Sequence, residues 1–348
     1  MNTNFFRPYV LVIFLLCCIP VRFYAQENPQ VRVETLTPVK RIINFNNGDA
    51  LKTEPLDIRY NAIDKKVYVA DSRNNRVVVF DEFLQFIGIF GSSGSDPGEF
   101  GRPSGIAFTS DGDIIVAGHN KRLQIFNKNY EFVSFFKVPQ SAYDAEFSPV
   151  VDGEDNILFN YPDRNFPDAG TLFSVFNIAG DIIKTGGELM EIDESRYDAV
   201  IWRTCENLVF IETDISSGLI YAAFINKPLI RIYNTEFQVV KEIDISEYDE
   251  IKKITKAWKK TKRSSGYQQK RYIRSVSIDA QYFYAYLGYK LYAFSKENLD
   301  VEKEIDLLTG NPKLDKPENR DMWTIDFRHE NRVFAIYRDH GEIFMYNK

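Results

Sequence analysis

FGSSGSDPGEFGRPSGIAFTSDGDIIVAGHNKRLQIFNKNYEFVSFFKV, residues 90–138, decides how the rest of the chain is read. A loop rich in Gly, Ser and Asp (Gly91 to Gly101) leads into four short runs of Val, Ile and Phe: Gly105 to Phe108, Asp113 to Ala117, Leu123 to Phe126 and Phe132 to Phe136. Runs of β-branched and aromatic residues bounded by Ser-Asp-Gly and Asn-Lys-Asn clusters are strands joined by hairpins. One four-stranded meander cannot cover both of its faces, so it needs neighbours of its own kind.

Such neighbours recur. A strand closing on an aromatic, then a turn residue, appears as VVVF before Asp81, LQIF before Asn127, FSVF before Asn177, IRIY before Asn234, LYAF before Ser295 and IFMY before Asn347. The aromatics Phe80, Phe126, Phe176, Tyr233, Phe294 and Tyr346 lie 46, 50, 57, 61 and 52 residues apart. Six recurrences at that period predict an all-β fold: one six-bladed β-propeller of four-stranded antiparallel blades. The blades fall at about 55–91, 102–138, 142–187, 203–245, 272–308 and 322–348. The sixth reaches Lys348 with three strands, and an orphan strand, Pro38 to Phe45 (PVKRIINF), precedes the first. The orphan is similar to the fourth strands Phe237 to Ile245 and Asp300 to Leu307. Paired beside the strand ending at Tyr346, it closes the ring and removes an open sheet edge.

Met1 to Ala25 reads as a cleavable signal peptide: Arg7 precedes an apolar run, Val10 to Ile19, and Ala25 offers a small residue for cleavage. Export to the periplasm, the medium or the cell surface follows. Leu15-Leu16-Cys17 ahead of Cys18 is a poor lipoprotein signal. The mature chain keeps one cysteine, Cys205, so no internal disulfide is available. Losing Arg7 and Arg22 takes the formal net charge from -6 to -8. An acidic exported chain argues against a nucleic-acid partner, and no transmembrane span is expected after cleavage.

VYVADSRNNRVVVFD, Val67 to Asp81, resembles the repeat of NHL-type propellers, and the Gly-rich stretch quoted above is similar to the adjoining part of that repeat. The resemblance is specific over Pro55 to Val138. It implies an exported bacterial six-bladed ring. Asp71, Asn74, Asn75 and Arg76 read first as turn-formers, because Asp and Asn hydrogen-bond nearby backbone.

With strands a to d running outward from the axis, the a-b and c-d turns share one face and the b-c turns and d-a connections the other. The a-b and c-d turns are short, such as Ser110 to Asp113 and Asn127 to Asn129. Long excursions are all b-c or d-a: Gly91 to Gly101, Asn160 to Gly170, Gly187 to Glu206, Ser246 to Arg271 and Thr309 to Asp321. Binding usually resides on loops held by a rigid scaffold, which selects the b-c/d-a face. Arg73, His119, Arg164, Arg274, Trp323, Arg338 and His340 are candidate ligand-binding residues there, with Tyr286 for stacking on a sugar. In the insert 246–271, Ile251, Ile254 and Trp258 form an apolar stripe on a helix of about three turns. Its basic face, with Lys256, Lys259, Lys260 and Arg263, is a candidate docking site for an anionic partner.

Catalytic motifs are absent: no His-Glu-x-x-His, no paired cysteines, no Gly-x-Ser-x-Gly. The expected function is non-catalytic binding of a protein or glycan, with no cofactor and no metal. The alternative is a lactonase- or lyase-like enzyme with calcium or zinc in the central channel, for which Glu54, Asp57, Glu146 and Asp326 could supply carboxylates.

Overall fold

The computed structural model describes residues 31–43, 52–138, 148–160, 170–192, 199–260, 269–316 and 322–348. The expected signal peptide lies outside them. The chain enters through β1 (Arg32–Leu36) and β2 (Pro38–Ile43). Blade 1 is β3 (Pro55–Asn61), β4 (Lys66–Asp71), β5 (Arg76–Asp81) and β6 (Phe86–Phe90). A two-stranded ribbon, β7 (Ser92–Ser93) and β8 (Glu99–Phe100), bridges to blade 2: β9 (Pro103–Phe108), β10 (Ile114–Gly118), β11 (Arg122–Phe126) and β12 (Phe132–Lys137). Blade 3 is β13 (Val150–Val151), β14 (Ile157–Asn160), β15 (Thr171–Phe176) and β16 (Ile182–Glu188). Helix α1 (Ala199–Glu206) leads to blade 4, β17 (Val209–Asp214), β18 (Leu219–Phe224), β19 (Leu229–Tyr233) and β20 (Val239–Asp244). Helix α2 (Asp249–Lys260) leads to blade 5, β21 (Ile273–Ile278), β22 (Tyr282–Leu287), β23 (Lys290–Ser295) and β24 (Val301–Leu307). Blade 6 is β25 (Met322–Asp326), β26 (Arg332–Tyr337) and β27 (Glu342–Asn347), completed by β2.

The ring closes as expected, with β2 antiparallel to β27 and Pro38 opposite Tyr346. One feature lies outside the sequence expectation. β1 adds to blade 5 as a fifth strand, parallel to β24, so a single strap spans the outer edges of blades 5 and 6.

Strand alternation explains why the blades stack. In β4, Val67 and Val69 face blade 6 while Tyr68 and Ala70 face blade 2, and all four are buried. The same division repeats around the ring, giving one apolar cluster between each pair of neighbouring blades. The cluster joining first and last blades contains Ile58, Val69, Phe80, Phe334, Ile336 and Ile343, with Ile42 of the strap against it.

The repeated motif also has a local cause. In five blades the recurring aromatic sits where the c-d ladder slips by one residue. The turn residue after it then accepts backbone N–H groups. Asp81 takes those of Phe83 and Gln85 at 2.9 and 2.7 Å, and Asn127 those of Asn129 and Glu131 at 2.9 and 3.1 Å. Blades 1–4 thus carry Asp or Asn in an Asx turn at this position, and blade 5 carries Ser295, whose hydroxyl accepts the Glu297 N–H.

On the a-b face, Lys348 Nζ donates to Asp279 Oδ2 at 2.9 Å and to the Phe327 carbonyl at 2.6 Å. Burial alone would raise the Asp279 carboxyl, but Lys348 and the N–H groups of Tyr282 and Gln281 outweigh it and hold its pKa below the usual value. A depressed carboxylate contributes stability that is complete above its unfolded pKa, near 3.8, and is lost as the pH falls through the folded value. Lys348→Met is therefore expected to lower stability at pH 7, where the contribution is complete, and so to move the acid-unfolding midpoint to higher pH. A far-UV circular dichroism titration checks this, and an unchanged acid midpoint would contradict it.

Candidate functional site

The innermost strands begin at the b-c/d-a face. In four blades their ladders slip near that end, leaving Leu56, Ser104, Arg274 and Trp323 as the extra residues. A bulge bends the strand and re-aims its side chain. Leu56, Ser104 and Arg274 line one cavity of about 100 Å³ on the axis. Ser148, Asn160, Gln269, Arg271, Ser275 and Thr324 add polar groups, and Phe159, Phe210, Ile273 and Val276 add apolar wall.

An innermost strand has no further strand to pair with on the axial side, so its backbone groups need other partners. Side chains of neighbouring blades supply them. Asp57 Oδ2 accepts the Ile106 N–H at 2.8 Å, Asp326 Oδ2 accepts that of Tyr60 at 2.6 Å, and Ser275 and Ser277 hydroxyls accept those of Ile325 and Phe327 at 3.1 and 2.9 Å. The belt fixes the cavity wall.

Towards the a-b face the channel is crossed by ions. Arg59 is 6 % exposed; its guanidinium donates to Asp57 at 3.2 Å, Glu212 at 3.0 Å and the Ser148 hydroxyl at 3.1 Å. Glu212 also accepts from Arg328, which lies 3.3 Å from Asp326. Burial works against the Arg59 charge, but Asp57, Glu212 and Asp326 outweigh it and hold the guanidinium more firmly protonated than usual. Residues of blades 1, 4 and 6 thus join in one ion network across the channel.

A family comparison matches residues 53–290 to DUF5128, described as a 6-bladed beta-propeller. The chain belongs to that six-bladed β-propeller family. The match opens at blade 1 and ends within blade 5, so the strap and blade 6 are read from the structure alone. Among solved structures, a protein of Bacteroides fragilis assigned as exported is 12 % identical with a TM-score of 0.55, covering 91 % of this chain and 99 % of its own. A catalytically inactive variant of virginiamycin B lyase from Staphylococcus aureus with quinupristin is 12 % identical with a TM-score of 0.53, covering 92 % and 97 %. The Cps50 (Swd1) β-propeller domain of Myceliophteria thermophila is 10 % identical with a TM-score of 0.50, covering 90 % and 99 %. At such identities the likeness is one of fold. A comparison with curated proteins finds no match.

In this propeller the expected site residues divide. Arg73, His119, Arg338 and His340 all lie in b-c turns, Arg73 and His340 exposed, His119 and Arg338 half-buried. Among the described ligand-binding candidates, Arg274 lines the cavity. Arg338 donates to Glu54 at 2.7 Å, and Glu54 also accepts from Arg102 at 3.5 Å, a chain of charge linking blades 6, 1 and 2. Trp323 occupies the blade 6 bulge. Arg164, Arg263 and Glu146 lie outside the described residues. Tyr286 is corrected: it is 1 % exposed, packed with Leu291, Ala335 and Tyr337 between blades 5 and 6, out of reach of a sugar.

The turn residues are structural. Asp71 accepts from the Glu54 N–H at 3.1 Å, Asn74 at 2.7 Å and Arg76 at 3.0 Å, while Asn75, at φ +50°, accepts the Arg102 N–H at 2.6 Å. Sequence reasoning missed Arg59, Glu212 and Arg328. The signal was present: Asp57, Arg59 and Asn61 alternate with Leu56, Ile58 and Tyr60, so a polar stripe faces the axis. Among the described residues, no three His, Cys, Asp or Glu side chains converge on one ion position. Nor is any described helix long and apolar enough to cross a membrane.

Proposed function

We propose that the protein is an exported binding propeller that takes a protein or glycan partner on its b-c/d-a face, with no chemistry of its own. One observation carries this reading: paired ions cross the axial channel towards the a-b face, and the cavity beside them has Arg274, at a bulge near the b-c/d-a end of its strand, in its wall. The metal-dependent alternative needs free carboxylates on the axis. Asp57 and Glu212 are held by Arg59, and Asp326 by Arg328, which supports binding over a calcium or zinc reaction. Likeness to an exported protein and the apolar run at Val10 to Ile19 support export. The NHL-type turn, with Asp71, Asn74 and Arg76 in mutual contact, supports kinship with those propellers.

The test is a screen of mature chain, residues 26–348, on arrays of bacterial glycans and envelope proteins. Arg274→Glu is expected to lower retained binding by about tenfold, since a reversed charge at a desolvated site costs affinity strongly. A single cooperative melt should show that the variant is folded. Binding should also persist with a chelator present. A charge reversal that leaves every detected interaction intact would overturn the reading, and loss of binding with the chelator would favour the metal-dependent alternative.

A further inference from the structure

Helix α2, in the insert between blades 4 and 5, is packed against the wheel. Ile251 is 1 % exposed within the blade 4 and blade 5 cluster, with Ile254 packed beside it. Glu250, buried at 2 %, accepts the Tyr292 hydroxyl at 2.9 Å, and Thr255 Oγ1 lies 3.1 Å from the Tyr272 hydroxyl. Asp249 and Glu250 in the first turn and Lys259 and Lys260 in the last complement the helix dipole.

The segment that leads into β21 ties this helix to the cavity. Gln269, Arg271 and Ile273 line the cavity, while the intervening residues turn the other way. Lys270 Nζ sits 4.9 Å from the Trp258 ring centroid, and Tyr272 meets Thr255. Helix α2 therefore touches the segment that carries Gln269 and Arg271 on the cavity wall.

What the helix turns outward is charge. Lys252, Lys253, Lys256, Lys259 and Lys260 are all exposed. Lys252 pairs with Glu247 at 2.8 Å, and Lys253 donates to the Tyr289 hydroxyl. Lys256, Lys259 and Lys260 have no ion-pair partner among the described residues. Helical spacing sets Lys252, Lys256 and Lys259 in a row with about 4.5–6 Å of rise between neighbours. This row stands out on a mature chain whose formal net charge is -8 after Arg7 and Arg22 are removed from the -6 of the whole.

We infer that α2 is a docking rail for an acidic polysaccharide whose bound end reaches the axial cavity. The inference rests on the binding reading above and names its partner. A membrane is disfavoured because the apolar face of α2 is already buried in the ring, so no apolar side remains to enter a bilayer. The cavity is too narrow for a folded protein surface; the Ser104 hydroxyl and the Gln269 amide on its wall suit a hydroxyl-rich chain, while Ser148, Asn160, Ser275 and Thr324 hold partners within the ring. A row of ammonium groups complements a polymer with regularly spaced acids, and Arg271 and Arg274 continue the positive charge inward.

The experiment uses mature chain with polygalacturonate, chondroitin sulfate, neutral dextran, poly-L-glutamate and vesicles rich in anionic phospholipid. The acidic polysaccharides should bind, with affinity falling as salt rises, and dextran should not. K256Q/K259Q/K260Q should weaken that binding about tenfold and flatten its salt dependence, with melting unchanged because all three side chains are exposed. Equal binding by the triple variant would overturn the rail, as would preference for poly-L-glutamate or vesicles. Arg274→Glu separates the two readings. If it leaves polysaccharide binding intact while the lysine variant loses it, the rail stands and the cavity reading falls. If only Arg274→Glu loses binding, the cavity stands and the rail falls.

Discussion

Arg59→Met is expected to lower the unfolding free energy by about 3–5 kcal/mol, the usual cost of removing one partner from a buried ion pair. The guanidinium is shared by Asp57 and Glu212, whose side chains are 2 % and 1 % exposed. Without it, two carboxylates from blades 1 and 4 face one another across a nearly dry channel. Asp57 keeps the Ile106 N–H and Ser148 hydroxyl, and Glu212 keeps Arg328, so the ring should still assemble but with a lower denaturation midpoint. The double variant R59M/E212L should recover part of the loss, because replacing both members of a buried pair by apolar groups is far milder than orphaning one. Urea unfolding of the two variants decides the matter. A single variant within about 1 kcal/mol of the parent, inside the range of ordinary surface changes, would mean that the network does not couple the blades across the channel.

Deleting residues 31–43 should have the larger effect of the two. The strap contributes the outer strand of blade 6 and the fifth strand of blade 5. Its removal strips Ile42 from the cluster joining blades 6 and 1, and Leu36 from the cluster joining blades 5 and 6. It also breaks the bidentate contact of Arg41 with Glu342, at 3.0 and 2.5 Å, and that of Lys40 with the Phe83 carbonyl at 2.9 Å. Strand β27, buried along all but its last residue, would become an open edge. Such an edge templates association with other chains. The expected result is loss of a single cooperative melt together with aggregation on size-exclusion chromatography. A monomeric product melting within about 2 °C of the parent, a shift of under about 1 kcal/mol for a chain this size, would show that blade 6 is complete without β2.

The architecture was legible because its signals are local. An aromatic at the end of strand c and an Asx turn after it, as at Phe80 and Asp81 or Phe126 and Asn127, repeat at blade length, and period 2 places the core. The orphan strand 38–45 was legible as well, since blade 6 lacked a fourth strand and its residues matched the others. The helix of the insert followed from the spacing of Ile251, Ile254 and Trp258.

The site was less legible, for reasons of distance. Arg59 and Glu212 are 153 residues apart, and only ring closure sets them 3.0 Å from each other. Tyr286 and Arg274 both carry polar groups near the same blade end, yet one packs between sheets and the other, thrown out of register by a bulge, lines the cavity. Side-chain alternation is a property of a strand and can be read from its residues. Which face of a strand meets the axis, which ion meets its opposite, and how β1 comes to lie along blade 5 depend on the curvature of six stacked sheets, and only the closed wheel decides them.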